Sequence, residues 1–85
     1  MVRTELNIYP NPASEKINVE FSSINSEKVK YTIYNEVGRV VKSNTENINI
    51  GVNNLVINLG SLKSGLYFLS LDLKDGNVTK QFIKK

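Results

Sequence analysis

Any chemistry done by this 85-residue chain has to come from carboxylates, lysines, tyrosines and hydroxyls, because it contains neither histidine nor cysteine. The absent imidazole removes the usual general base near neutral pH and the commonest metal ligand. The absent thiols remove disulfides and thiolate metal sites. A carboxylate pair could still do acid–base work, but Glu20, Glu36 and Asp72 stand in no common relation along the chain. Asp72, Asp75 and Asn77 are close enough in sequence to suggest a calcium loop, yet too few carboxylates converge to fill its roughly six to eight oxygen positions. A hairpin turn accounts for that stretch more simply. Asn77-Val78-Thr79 has the form of a glycosylation triplet and is read as part of the same turn. No catalytic residue, metal ligand or cofactor-binding residue is expected, and so no cofactor and no enzymatic activity.

What remains is charge. Eleven Lys+Arg against eight Asp+Glu give +3, but the basic residues are spread with acids between them. Without a groove-reading motif this is a solvated surface, and no nucleic-acid partner is expected. The exception is the basic finish, with Lys80, Lys84 and Lys85 around Phe82 and Ile83. A basic strand end offers charge and an edge of unpaired backbone groups, to which a partner could add a strand or bring acidic residues. The competing reading is that edge lysines only prevent edge-to-edge pairing. No apolar run is long enough to cross a membrane, so no membrane insertion is expected. Met1-Val2-Arg3-Thr4-Glu5 has no signal-peptide core.

The elements that must carry these residues are strands. The apolar spacing is two almost throughout: Ile17, Val19 and Phe21 in one run, Val29, Tyr31 and Ile33 in the next, Tyr67, Leu69, Leu71 and Leu73 in a third. A first short strand over residues 5–9 ends at Pro10-Asn11-Pro12, which stops helix and ladder alike. Asn35-Glu36-Val37-Gly38 is a turn with Gly38 at positive φ, and residues 39–43 return as its hairpin partner. Residues 44–54, rich in asparagine, read as a loop with a short edge strand at 48–50. A strand follows at 55–59 and a turn at 60–65. A terminal hairpin then runs through Lys74-Asp75-Gly76-Asn77, with Gly65 and Gly76 as further turn positions and the Tyr67 hydroxyl at the rim of the core. The expected fold is all-β: a small immunoglobulin-like antiparallel β-sandwich of about seven strands in a single domain, 1–85.

Three blocks give the chain a resemblance. The first is Leu6-Asn7-Ile8-Tyr9-Pro10-Asn11-Pro12-Ala13. The second is Ile33-Tyr34-Asn35-Glu36-Val37-Gly38-Arg39-Val40-Val41. The third is Leu62-Lys63-Ser64-Gly65-Leu66-Tyr67-Phe68-Leu69 with Gly76 and the closing Lys80-Gln81-Phe82-Ile83-Lys84-Lys85. In order and spacing they resemble the type A C-terminal sorting domain of the type IX (Por) secretion system of Bacteroidetes. The resemblance implies a sorting motif at Tyr9, Pro10, Asn11, Pro12, Tyr34, Asn35, Gly38, Val40, Gly65, Tyr67 and Gly76. Translocon recognition is expected at Lys80, Phe82, Ile83, Lys84 and Lys85.

It further implies an exported cargo protein joined ahead of the domain, delivered through the periplasm and outer membrane to the medium or cell surface. The implied partners are the outer-membrane translocon and a sortase-like peptidase that releases and anchors the cargo. On this reading residues 1–85 are a piece of a larger secreted protein, with 1–4 a linker remnant or added residues. The rival is an immunoglobulin-like binding module of a surface protein, holding a glycan or a protein. Exposed aromatics on a sheet face, Tyr34 and Phe68, would be its mark.

Overall fold

Alternation decides which side of each strand is dry. The computed structural model describes residues 5–74 and 76–85, and within them the chain forms β1 (Asn7–Tyr9), β2 (Lys16–Ser23), β3 (Glu27–Asn35), β4 (Val40–Ile48), β5 (Gly51–Asn58), β6 (Gly65–Leu73) and β7 (Gly76–Lys84). The ladders between these strands are all antiparallel. One sheet has the order β1-β2-β5 and the other β4-β3-β6-β7. Ile17, Val19 and Phe21 from the first face Val29, Tyr31, Ile33, Leu69 and Leu71 from the second across one continuous buried core. The expected seven-stranded sandwich of immunoglobulin type is therefore what forms. Residues 1–4, expected as a linker remnant, and Asp75, expected in the last turn, lie outside the described residues.

Three boundaries differ from expectation. The first strand begins at Asn7 rather than residue 5, although Leu6 is buried, because the Leu6 carbonyl accepts a hydrogen bond from Lys80 Nζ instead of joining a ladder. The asparagine-rich stretch is mostly strand: β4 continues to Ile48 and β5 starts at Gly51. Low strand propensity is overridden there by antiparallel pairing with β3 and β2, whose alternate residues are buried in the core. Asn53 closes the short link between the two, its side chain accepting from Asn49 N and donating to the Asn49 and Gly51 carbonyls. The last hairpin is tighter than four residues, since Leu73 already pairs with Gly76. Its turn is held from outside, with Lys74 N donating to Glu27 Oε1 at 3.0 Å.

Candidate functional site

Antiparallel pairing collects the sequence blocks at one end of a body measuring 34 × 22 × 20 Å. Tyr9 pairs with Asn18, Tyr34 with both Val40 and Phe68, Asn35 with Tyr67, and Gly65 with Lys84. The β1–β2 connection, the β3–β4 turn, the β5–β6 connection and the chain's last residues therefore share that end. Of the sixteen residues singled out above, Gly76 and Lys80 stay away from it. Gly76 sits at the opposite end with φ +138°, and Lys80 lies midway along β7, paired with Leu69.

Several of these residues build the end itself. Asn35 Oδ1 accepts from Val37 N at 3.1 Å and Arg39 N at 2.9 Å, so one amide side chain closes the β3–β4 turn. Gly38 has φ +86°, the left-handed region that the turn requires. Tyr67 is buried, and its hydroxyl donates to the Lys63 carbonyl at 2.6 Å, pinning the β5–β6 connection. Phe82, expected among the recognition residues, is 1% exposed and stacks on Tyr67 inside the core. Strand phase explains this: Phe82 pairs directly with Tyr67, a core-facing position of β6. Its side chain is therefore not displayed by the folded domain.

Pro10-Asn11-Pro12 runs from β1 to the edge of β7, with both X–Pro bonds cis. Asn11 Oδ1 accepts from Ile83 N at 2.9 Å. Ala13 N then donates to the Ile83 carbonyl, and Lys85 N to the Ala13 carbonyl, both at 2.7 Å. Ala13 and Lys84 thus form a parallel bridge. The unpaired backbone edge expected at the basic strand end is already taken at Ile83 and Lys85. Ala13, 0% exposed, closes the first block but was not singled out as a site residue; its bridge is long-range and left no local signal.

The three lysines part company in the same way. Lys80 shares the core-side phase of Phe82, and its Nζ reaches the Leu6 carbonyl at 2.8 Å across the groove between residues 5–7 and 77–80. Lys42 does the same on the other flank, its Nζ donating to the Asn58 carbonyl at 2.9 Å. These are inward-pointing charges on edge strands, a recognised guard against edge pairing. Lys84 is half-buried with its Nζ 3.2 Å from the Lys85 carbonyl oxygen, and Lys85 is exposed.

What the end displays is basic and partly apolar. Lys16, Arg39, Lys42, Lys63, Lys84 and Lys85 stand there against Glu15 and Glu36, six side-chain cations to two side-chain carboxylates among the described residues. The far end has Lys28, Lys30 and Lys74 against Glu5, Glu27, Glu46 and Asp72 among the described residues. Exposed apolar side chains stand at both ends, with Val37 82%, Val40 52% and Ile83 50% accessible at the basic one and Ile24 60%, Ile50 71% and Val52 73% at the other. Tyr34 and Phe68, neighbours in register on the outer sheet face, are half-buried beside Val40. On that face Asp72 and Asn77 are tied to each other, and the Ser70 and Thr79 hydroxyls donate to Asn77 Oδ1 at 3.1 Å each. This is a hydrogen-bond network of side chains at the place where a calcium loop was weighed.

A search among curated proteins finds no match to the chain. The family described as the secretion system C-terminal sorting domain matches residues 7–85, which takes in all three blocks except Leu6. With that match over nearly its whole length, the chain belongs to the secretion system C-terminal sorting domains, the C-terminal sorting signals of type IX secretion.

Proposed function

We propose that the basic end of the sandwich is the surface by which the outer-membrane translocon of a type IX system recognises the folded domain. A cargo protein joined ahead of β1 follows it through the outer membrane. A sortase-like peptidase then cuts ahead of β1 and leaves the cargo at the cell surface or in the medium. Ile83, Lys84 and Lys85 carry the recognition, with Tyr9, Pro10, Pro12 and Val40 around them. Residues 1–85 serve as a single sorting domain. The observation that supports this most is the joining of the first block to the last, Asn11 and Ala13 against Ile83 and Lys85. The family is a sorting signal and not a catalytic one, and it does not favour the binding-module reading.

The test is localisation of a fluorescent protein carrying an N-terminal export signal and this chain at its C-terminus, in a Bacteroidetes host with and without a working type IX translocon. Delivery to the surface or medium that disappears without the translocon is the expected result. Retention in the periplasm of both strains, with a native-length linker included, would overturn the reading.

A further inference from the structure

Two routes lead a partner to a terminal β-strand: it can extend the sheet through backbone hydrogen bonds, or it can meet side chains on a fixed body. The outward backbone groups at the end of β7 decide between them. Ile83 N–H is held by Asn11 Oδ1, the Ile83 carbonyl by Ala13 N, and Lys85 N–H by the Ala13 carbonyl. A strand added here would have to displace residues 11–13, whose Ala13 side chain is fully buried. The side-chain route is open, since Ile83 and Lys85 are exposed and Lys84 half-exposed. They lie within the end that carries six side-chain cations against two side-chain carboxylates among the described residues.

We propose that residues 11–13 form a strap that closes the end of β7 to strand addition and holds Ile83, Lys84 and Lys85 as a fixed basic corner for an acidic protein surface, with Asn11 as the positioning residue. This rests on the reading of the basic end as the recognition surface and adds how it is read. Asn11 needs no contact with the partner. Its exposed side chain gives its acceptor to a backbone donor 72 positions later, and that bond, with the two made by Ala13, ties the last three residues to the β1–β2 connection. The partner contributes carboxylates around an apolar spot that takes Ile83. Its attraction to the corner falls with salt, because exposed charges are screened within about 10 Å at 0.1 M.

The experiment uses the full chain on the fluorescent fusion and in purified form. Asn11→Leu keeps side-chain size and removes the acceptor; Asn11→Asp keeps an acceptor in place. Asn11→Leu is expected to quicken amide exchange at Ile83 about five-fold, the worth of one ordinary hydrogen bond, while β2 and β3 amides keep their protection. Export falls for Asn11→Leu, and Asn11→Asp retains the Ile83 protection. In a Lys84→Gln/Lys85→Gln background, Asn11→Leu gives no further loss of export, because the corner it positions is already blunted. Binding of the purified chain to detergent-solubilised type IX translocon weakens at least ten-fold between about 50 and 500 mM salt.

A further loss in the Lys84→Gln/Lys85→Gln background would mean that Asn11 acts on general stability, and the proposal falls. Normal export by Asn11→Leu despite faster exchange at Ile83 overturns it as well. So does salt-insensitive binding, or equal binding to vesicles of anionic phospholipid, which would make the partner a membrane. If the unmodified fusion reaches the surface without the translocon, it is the functional reading that fails instead.

Discussion

The rings of Tyr67 and Phe82 lie 5.8 Å apart between centroids with their planes 23° from parallel, so an aromatic near the end of the chain is part of the core of a sheet begun far earlier. Phe82→Ala removes that ring from a fully buried site and is expected to cost about 3–5 kcal/mol. In a domain this small, that is much of the total stability. Tyr67→Phe keeps the stack and loses only the hydroxyl bond to the Lys63 carbonyl, for about 1 kcal/mol. Urea unfolding of the two variants should separate them clearly; equal effects would mean that the stack contributes little.

At Gly38 the backbone φ is +86° and an added Cβ meets nothing within 4 Å. The cost of Gly38→Ala is therefore conformational, about 1–2 kcal/mol. Gly38→Asn should cost less, since asparagine tolerates this region better. Thermal melts of the pair check the order, and a reversed order would show that something other than φ governs the turn.

Lys42 and Lys80 each span the two sheets at an open flank, from edge strand to opposing carbonyl. Replacing both with threonine should leave unfolding free energy nearly unchanged, within about 1 kcal/mol, as for other exposed charges. Self-association is what should rise, because an inward charge no longer obstructs edge pairing. Sedimentation equilibrium over a range of concentrations reads this directly. A double variant that stays monomeric throughout would refute a guarding role.

Burial pushes the Tyr31 phenol above its ordinary 10.0, with Glu46 adding in the same direction and a hydrogen bond with Asn44 opposing. Above pH 10 the unfolded chain releases this proton while the folded one retains it. The unfolded state then binds fewer protons, and stability falls as pH rises. Below pH 10 both states hold the proton and the group contributes no slope. Tyr31→Phe should flatten the alkaline decline that begins near pH 10; an unchanged slope would assign it to other groups.

Strand phase was legible because burial acts on every second residue. Ile17, Val19 and Phe21 could be placed inside from spacing alone, and so could Val29, Tyr31 and Ile33. The turn at Asn35 and Gly38 was equally local. Residues 44–54 were not legible, since their asparagines pair with strands distant in sequence and carry no apolar rhythm of their own. The ending was half legible: alternation continued from Val78 puts Phe82 on the core side, while the basic residues around it invited an external role. Nothing local in Pro10-Asn11-Pro12 indicates that its amide reaches Ile83. That contact depends on both sheets being in place.

The bond between Asn11 and Ile83 also has an order in time. However the chain emerges, N-terminus first, the strap waits for a donor that arrives 72 positions later, and the core waits as long for Phe82. A chain broken off between β6 and β7 has six strands and most of its hydrophobic residues, but no assembled basic corner. The corner therefore exists only once β7 has been made and docked, so the last strand to emerge is also the one that completes the first turn of the fold.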